Sequence, residues 1–513
     1  MVARFSSPVL ALALGGLLAL AAGCRDQPVL EPAAPSADHN AQPGPTVLDP
    51  NLDVRTVVSG LSSPTTMAFL GPDDFLVLEK NTGRVKRVVG GVVQGTVLDL
   101  AVNFASERGL LGIALHPNFP ADPGVYLFWT ESTTGTDSNV LGQTPLLGNR
   151  VDRFVWNGST LTQAGNVVRL RAIQQDPSNA TPANPLGERG NHNGGILRFG
   201  HDGKLYVIVG DTGRRGWMQN LRCGPTNRYD CPPGAPVADD QFGGPQPDAA
   251  HLTGVVLRLN PDGTAPGDNP FFAAGAAIGG EVGASVQKVF SYGHRNSFGM
   301  AVDPESGALW LEENGDDSFT ELNLVEPGMN GGWVQIMGPV SRLAQFRAIE
   351  TSPQFFGLQQ ARWPSTNIAT SPEEALSRLF MLPGARYSDP EFSWKYEVAP
   401  AGIGFIQGRA LGPQYDGDLV VGAARDVLFS GHLFRFNLTG NRRRIAVDDP
   451  RLEDRVADNL AKHDVTESES LVFGENFGVG TDIQTGPNGS LYVVSLTHGA
   501  VYEIFRGKNG KKK

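Results

Sequence analysis

One phrase recurs along the chain: a turn containing Asp, Asn or Gly, then a strand, a glycine turn and a second strand. Each turn offers a residue suited to positive φ, and each strand carries aromatic or β-branched side chains, as hairpins require. The copies span about 450 residues, room for roughly four strands each, which is the size of a propeller blade. The pattern predicts an all-β, six-bladed β-propeller with loop insertions. The six copies occupy residues 71–88, 116–131, 200–211, 303–316, 415–438 and 486–505.

A parallel β-helix is the alternative fold, and the length and irregularity of the copies disfavour it. The composition of the 513 residues agrees with many short strands and turns, since there are 64 Gly and 37 Pro and only 19% charged residues. We predict the propeller over residues 51–507. The longest irregular section, about residues 338–386, is interpreted as an insertion with a short helix in SPEEALSRLF.

The formal net charge of −11 argues against a nucleic-acid partner, because phosphate binding needs a basic face. The basic run at the C-terminus ends in residues 508–513, which we interpret as a solvated tail.

The N-terminus has the pattern of an export signal. The apolar run over residues 9–22 is shorter than the ~20 residues of a membrane-spanning helix. Residues 1–23 are predicted to be a lipoprotein-type signal peptide, with Cys24 lipidated, and ordinary signal cleavage is the alternative. Residues 24–50 are rich in Pro and Ala and predict a tether. We therefore expect a periplasmic or lipid-anchored protein that contacts a membrane only through Cys24.

Cys223 and Cys231 lie in a polar loop, CGPTNRYDC. In an exported chain they predict a disulfide. A zinc site is the alternative, but two cysteines without a nearby histidine pair are a poor ligand set.

Polar residues interrupt the strand pattern at three places. His192 lies in GNHNGG before a buried strand that Asp211 follows, and a histidine with a pKa near ~6.5 can take a proton from a hydroxyl. Arg295 and Asn296 stand in a glycine-flanked turn that suits anion recognition. Glu107 precedes an apolar run at a strand entrance. Hydrogen bonding within the loops is the alternative role at all three places.

Residues 312–333 contain a cluster of carboxylates with glycines between them, including Glu312, Glu313, Asp316, Asp317 and Glu321. Such hard oxygen ligands suit calcium, although the spacing is not that of an EF-hand. A plain acidic surface loop is the alternative.

Several phrases together resemble one family, the soluble dehydrogenases of glucose and sorbosone that depend on pyrroloquinoline quinone (PQQ). They appear in the family's order and cover most of residues 55–505. The phrases are ERGLLGIALHPNF, NHNGGILRFGHDGKLYVIVGDTG, GVVLRLNPDGTAPGDNP, SYGHRNSFGMAVDPESGALWLEENG and ELN…PGMNGGW.

The resemblance implies a PQQ- and calcium-dependent oxidation of an aldose to a lactone, with a small-molecule sugar as substrate. His192 would be the general base, and Glu107 and Asp211 would contact or orient the substrate. Arg295 and Asn296 match residues that contact the quinone. Gly315 and Asp316 match the Gly-Pro step whose carbonyls hold calcium, with Asp in place of Pro.

Two further departures concern the cofactor's carboxylates. Arg425 aligns with a lysine of the family, and Val479 and Thr481 replace two arginines. Losing charge-assisted bonds costs ~1.5–3 kcal/mol each, so Arg409, Arg425 or Arg435 would have to compensate. Two alternative functions therefore stand beside the dehydrogenase: a non-catalytic propeller that has lost the cofactor, and a calcium-dependent lactonase-type hydrolase.

Overall fold

The structure is a computed structural model that describes residues 43–173, 182, 190–213, 252–355, 365–425 and 428–507. Several predictions from the sequence lie outside these residues and stay predictions: the signal peptide over 1–23, Cys24, most of the tether, the pair Cys223 and Cys231, and the tail over 508–513.

The described strands form six sheets. Sheet 1 comprises β3 (Pro64–Gly71), β4 (Asp74–Glu79), β5 (Arg84–Val89) and β6 (Val92–Asp99). Sheet 2 comprises β7 (Leu110–Leu115), β8 (Gly124–Thr130), β9 (Asn149–Trp156) and β10 (Leu161–Leu170). Sheet 3 comprises β11 (Leu197–Phe199), β12 (Leu205–Val209), β13 (Val255–Leu259), β14 (Val289–Tyr292), β18 (Met329–Asn330) and β19 (Arg386–Tyr387).

The other three sheets follow along the chain. Sheet 4 comprises β15 (Met300–Val302), β16 (Leu309–Glu313), β17 (Thr320–Val325), β20 (Phe392–Trp394) and β25 (Val456–Ala457). Sheet 5 comprises β21 (Pro400–Phe405), β22 (Leu419–Ala423), β23 (His432–Leu438), β24 (Ile445–Ala446), β26 (Val472–Glu475) and β1 (Thr46–Val47). Sheet 6 comprises β27 (Gly480–Thr485), β28 (Leu491–Ser495), β29 (Ala500–Arg506) and β2 (Leu52–Val58).

Each copy of the repeated phrase lies in a different sheet, and the long ladders in every sheet are antiparallel. These ladders rule out the parallel β-helix for the described part of the chain. The strand LYVIV (β12) is buried at every residue, because sheets pack on both of its faces. This explains why its sequence is a continuous apolar run rather than an alternating one.

The first strands of the six sheets surround one axis. In chain order these strands are β3, β7, β11, β15, β21 and β27; each packs against the next, and β27 packs against β3. Together they line a cavity of about 400 Å³ at the end of the axis where they finish. This closed arrangement is an all-β propeller.

The ring of sheets closes where a strand near the start of the described chain pairs with a strand near its end. β2 pairs with β29 in sheet 6, so residues near the start of the described chain complete a sheet made by its last strands. Thr46–Val47, within the segment predicted to be a tether, pairs with β26. The ordered fold therefore begins before residue 51.

Four α-helices lie between strands: α1 (Phe272–Ile278), α2 (Gly280–Val286), α3 (Leu343–Glu350) and α4 (Pro372–Arg378). Short 3₁₀ helices span Val340–Arg342, Ser365–Asn367, Pro450–Leu452 and Glu469–Leu471. α4 begins where Ser371 Oγ accepts a hydrogen bond from the Glu374 N–H and Pro372 takes the first turn, as the sequence SPEE favours. Among the described residues, no helix has the length and apolar character needed to cross a bilayer.

Candidate active site

The topology brings the polar interruptions of the sequence to one end of the propeller. In an antiparallel sheet, the start of the first strand and the end of the second lie at the same edge. Glu107 precedes β7 and His192 precedes β11, while Arg295 and Asn296 precede β15. Asp211 follows β12, and these five residues therefore meet around the axis.

Gly210 permits the closest approach of these loops. A Cβ at Gly210 would lie 2.3 Å from the carbonyl oxygen of His192 and 2.8 Å from that of Arg295. The next residue, Asp211, donates its N–H to the Arg295 carbonyl at 2.7 Å. The end of β12 therefore fixes the backbones of two loops against each other.

His192 and Asp211 form a buried pair. His192 Nδ1 lies 2.6 Å from Asp211 Oδ1, and both side chains are almost fully buried. His192 has a φ of 57°, a left-handed conformation that is uncommon for a non-glycine residue and is found disproportionately at functional positions. Because Nδ1 faces the carboxylate, it carries the proton, and Nε2 is left as the basic nitrogen.

Asp211 is itself held by several donors. Its Oδ2 accepts a hydrogen bond from Trp333 Nε1 at 2.8 Å, and its Oδ1 accepts one from the Gly213 N–H at 2.7 Å. These bonds orient the carboxylate, which in turn fixes the orientation of the imidazole ring.

Glu107 connects the histidine loop to the Arg295–Asn296 turn. The His192 N–H donates to Glu107 Oε2 at 2.5 Å, and Asn296 Nδ2 lies 3.5 Å from both Glu107 oxygens. The neighbouring Arg108 is fully buried and donates to the carbonyls of Ala172 and Leu141. Arg108 is therefore structural, whereas Glu107 lies within the cluster.

Arg295 is buried, and its guanidinium contacts the segment that follows β16. Its Nη1 donates to the carbonyls of Asn314, at 3.0 Å, and Gly315, at 2.5 Å, and its Nη2 donates to Asp316 Oδ1 at 2.7 Å. Burial acts to lower the pKa of Arg295, but Asp316, Asp211 and other carboxylates raise it above its ordinary value. Arg295 is therefore a permanent cation at the centre of the site.

The acidic residues from Glu312 to Glu321 are interior, which excludes the surface-loop interpretation. Glu312, Glu313, Asp316, Asp317 and Glu321 are all buried. Glu313 contacts His294 Nδ1 at 3.0 Å and also accepts the Arg295 N–H. Burial, with the charge of Glu313 beside it, raises the pKa of Glu321 to about 8.

A cavity of about 150 Å³ lies at this end of the axis, where the first strands begin. Val479 and Thr481, which take the place of two arginines of the family, both line it. Lys80 and Glu107 line it too, and Lys80 Nζ donates to the carbonyls of Ser106, at 3.0 Å, and Phe104, at 3.4 Å. Lys80 thus places a positive charge in the lining of the cavity that Val479 and Thr481 also line.

The arginines that we expected to compensate lie elsewhere. Arg409 and Asp416 pair in the segment between β21 and β22, at the opposite end of the axis. Arg435 lies in β23 opposite Val420, at the start of β22, and pairs with Asp418 at that same end. The expectation that these two compensate is therefore wrong, because both lie at the end of the axis opposite to His192. Arg425 follows β22 at the correct end and is exposed, but it does not line the cavity.

Sequence reasoning missed three residues of this region. Trp333 lies in the phrase PGMNGGW, but its bond to Asp211 spans 122 residues of sequence. Lys80 directly follows β4, and this position at the end of a strand was the available signal. Glu350 comes from α3 in the predicted insertion and approaches Asp316 and Asp317.

A buried histidine–carboxylate pair beside polar residues, at the end of a propeller axis, defines a site for proton transfer to and from a small substrate. Comparison with known proteins agrees with an enzymatic role for this site. The family model described as "Glucose / Sorbosone dehydrogenase" matches residues 61–351, more than half of the chain. The chain belongs to this family, and it is an oxidoreductase of the sugar dehydrogenase class.

Individual relatives are also named as sugar dehydrogenases. Quinoprotein glucose dehydrogenase B of Acinetobacter calcoaceticus is 32% identical over 56% of this chain and 53% of its own length. Aldose sugar dehydrogenase YliI of Escherichia coli is 24% identical over 86% of this chain and 90% of its own. The PQQ-bound form of an aldose sugar dehydrogenase from Streptomyces coelicolor matches the fold with a TM-score of 0.53 at 23% identity, covering 90% of this chain and 99% of that one.

Proposed function

We propose that the protein oxidises the anomeric hydroxyl of an aldose to a lactone, with PQQ as the hydride acceptor, and that each of the six sheets is one propeller blade. The buried pair of His192 and Asp211, with 2.6 Å between Nδ1 and Oδ1, carries the proposal. Such a pair provides a base with a fixed tautomer, which is what removal of a hydroxyl proton needs. The relatives named for quinone and sugar chemistry support the substrate class and the cofactor.

The residues around this pair fit a polar cofactor. Among the described residues, Asn296 Oδ1 and Arg295 Nε are buried and have no hydrogen-bond partner. Buried polar atoms are normally paired, so an additional polar group bound here would satisfy them. Lys80 would meet a cofactor carboxylate from the cavity wall, in place of the arginines replaced by Val479 and Thr481. Arg425, which is exposed at the same end of the axis, would add a second positive charge for the cofactor's carboxylates.

In the reaction, His192 Nε2 accepts the proton of the anomeric hydroxyl, and Asp211 stabilises the imidazolium that forms. The sugar loses a hydride from its anomeric carbon, the C=O of a lactone forms, and PQQ supplies the two-electron acceptor when bound. Glu107, held by the His192 N–H, is placed to accept a hydrogen bond from another sugar hydroxyl. Trp333 and Gly213 hold Asp211 in position throughout.

Calcium does not fit at the position that the resemblance implies. The Gly315 carbonyl accepts a hydrogen bond from Arg295 at 2.5 Å, and the Asp316 carboxylate pairs with the same guanidinium. A divalent cation on the Gly315 carbonyl would lie against this positive charge. The proton-transfer steps above therefore use protein groups alone.

The test is turnover of a panel of aldoses by protein incubated with PQQ, with an artificial electron acceptor. Lactone formation that depends on added PQQ supports the proposal. A protein that binds PQQ but oxidises no aldose in the panel would contradict the substrate class.

We also propose export with a lipid anchor at Cys24, and a disulfide between Cys223 and Cys231, from the sequence alone. Expression of the full chain in a Gram-negative bacterium tests the anchor. The wild-type protein should fractionate with membranes, and Cys24→Ala should release it, whereas equal fractionation of the two would contradict lipidation. Non-reducing mass mapping of the purified protein tests the disulfide.

A further inference from the structure

A second cavity lies on the propeller axis, at the opposite end from His192, and it has no place in the proposed oxidation. Its volume is about 400 Å³, and the ends of all six first strands contribute to its wall. This volume falls within the ~300–1,000 Å³ that is usual for small-molecule sites. The cavity is therefore large enough to enclose a single substituted ring.

An ion pair crosses the axis at the inner end of this cavity. Arg198 lies on β11 and Asp482 on β27, strands on opposite sides of the ring, and Arg198 Nη2 donates to Asp482 Oδ1 at 2.9 Å. Asp482 Oδ2 accepts further hydrogen bonds from Thr66 Oγ1, at 2.6 Å, and from the Met67 N–H, at 3.0 Å. The carboxylate balances the guanidinium charge, so this end of the cavity carries no net charge that would attract an anion.

Arg198 keeps hydrogen-bond donors for a ligand. A guanidinium has five N–H groups. Besides the bond to Asp482, Arg198 Nη1 donates to the Leu197 carbonyl at 3.0 Å, and its side chain makes no other hydrogen bond to the described residues. The side chain is 20% exposed and lines the cavity. Its remaining N–H groups are therefore available to an acceptor that enters the cavity.

Gln484 provides an acceptor in the same wall. Its Nε2 donates to the Met67 carbonyl at 2.8 Å and to Asp482 Oδ2 at 2.6 Å, so both of its amide hydrogens have partners. Its Oε1 accepts no hydrogen bond from the described residues and remains open to a donor. Gln407 lines the cavity too, and its N–H donates to Thr485 Oγ1 at 3.0 Å. The wall therefore offers both donors and acceptors.

The rest of the wall is apolar and already ordered. Phe69, Phe199 and Phe405 all line the cavity. The ring of Phe69 lies 5.0 Å from that of Tyr492, and the ring of Phe199 lies 5.1 Å from that of Tyr126, both in edge-to-face contacts. Among the lining residues of the described chain, those from β3, β7 and β15 are all apolar, whereas the polar ones come from β11, β27 and the segment after β21. The cavity thus has apolar and polar sides.

We propose that this cavity binds a neutral, hydroxylated ring of monosaccharide size, at a site separate from the candidate active site. A hydroxyl group both donates and accepts, so it satisfies the Arg198 N–H groups and Gln484 Oε1 together. The C–H faces of such a ring would pack against the apolar side of the wall. A carboxylate only accepts, and it would lie close to the charge of Asp482. The site needs no PQQ, so it does not depend on the proposed function.

The experiment is a ligand-observed NMR titration of the purified, PQQ-free protein with myo-inositol, a neutral cyclic polyol. Inositol has no anomeric carbon, so its binding is separate from the proposed oxidation. We expect saturable binding of inositol. Quinate, a ring polyol that carries a carboxylate, should bind at least about fivefold more weakly, because its charge would approach Asp482. Quinate binding as tight as that of inositol overturns the neutral class of ligand.

Val302→Phe tests where the polyol binds. Val302 lines the cavity from β15, and the larger side chain would occupy part of the space, so inositol affinity should fall at least about tenfold. The matched control is Val140→Phe, at an exposed position outside the cavity, which should retain the affinity of the wild type. His192→Asn should retain it as well. Loss of binding in His192→Asn with retention in Val302→Phe would place the polyol at the candidate active site and overturn the second site.

Arg198→Lys tests the donors without adding bulk. Lysine keeps a positive charge beside Asp482 but lacks the planar fork, so inositol should bind about tenfold more weakly. Arg84→Lys, in an exposed pair with Asp99, is the control, and thermal melting checks that each variant is folded. Absence of saturable inositol binding in the wild type, or equal affinity in the wild type and Arg198→Lys, overturns the site. Neither outcome bears on sugar oxidation, which is assayed separately with PQQ.

Discussion

At the scale of single residues, the site depends on an imidazole held in an uncommon backbone conformation. His192 has a φ of 57°, and its ring and its N–H are held by different carboxylates, Asp211 and Glu107. The left-handed region is most accessible to Asn, Asp and His among non-glycine residues. The chain therefore uses a residue that suits both the backbone and the proton transfer.

Replacing this histidine tests the base. His192→Asn preserves a residue that tolerates positive φ but removes the basic nitrogen, so kcat should fall by ~10²–10⁴ while PQQ affinity changes little. Steady-state kinetics and a binding titration measure the two effects. His201→Asn, at an exposed turn, is the control. If kcat survives in His192→Asn, the base is another residue.

Replacing Lys80 tests its role in the cavity wall. Lys80→Met retains length but removes the charge that would meet a cofactor carboxylate, so PQQ affinity should fall about tenfold or more. Fluorescence titration gives the affinity. Lys204→Met is the control, since Lys204 donates to Asn260 far from the cavity. Unchanged affinity in Lys80→Met would mean that the carboxylates are recognised elsewhere.

At the scale of elements, Glu321 on β17 has a carboxyl whose pKa lies far above its ordinary value. Glu321 accepts hydrogen bonds from the Gly338 N–H at 2.6 Å and from Asn323 Nδ2 at 2.9 Å. Burial dominates and raises its pKa to about 8. The folded protein thus holds this proton at pH values where the unfolded chain releases it.

Glu321 therefore makes the folded protein less stable as the pH rises. Between its ordinary pKa of 4.5, which applies to the unfolded chain, and the folded value of about 8, unfolding releases a proton, so the stability falls progressively through this window. Glu321→Gln should make the decline of the melting temperature from pH 5 to 8 shallower, and the part due to other buried carboxyls such as Glu397 and Asp418, whose pKa values burial raises to about 7, should remain. Denaturation scans at several pH values measure it. A slope identical to that of the wild type would contradict the raised pKa.

Sequence patterns predicted these elements unevenly. The sequence between His192 and Asp211 predicts a buried strand, and β12 is buried throughout, because local β propensity and tertiary burial agree there. Two-residue strands such as β18 and β19 carry no periodic pattern, and they form only because distant segments meet in sheet 3. The hydrogen bond from Trp333 to Asp211 likewise forms only because distant segments meet in the folded chain.

At the scale of the whole molecule, closure of the ring depends on β2, which pairs with β29 from Leu52 to Val58. Leu52 and Val58 are buried, and each buried side chain of this kind contributes ~1.5–3 kcal/mol. A chain that begins after Val58 should therefore unfold several kcal/mol more easily, in urea denaturation. A chain that begins at Pro43 keeps both closing strands and is the control. Equal stability of the two would contradict closure by β2.

The overall architecture was easier to predict than the site. The repeated phrase placed one copy in each sheet, because repetition is visible in the sequence itself. The meeting of His192, Asp211 and Asn296 followed from strand direction once the sheets were assigned. The positions of Arg409 and Arg435 did not, since they depend on where β21 and β23 begin and end along the chain.

The proposed oxidation requires that this propeller bind PQQ at the His192 end of its axis. Calorimetric titration of the purified protein with PQQ, with and without calcium, measures that binding. We expect a stoichiometry of one, with affinity weakened in Lys80→Met and retained in His192→Asn. Absence of binding at micromolar PQQ in both conditions would leave the fold and family intact and contradict the proposed quinone-dependent oxidation.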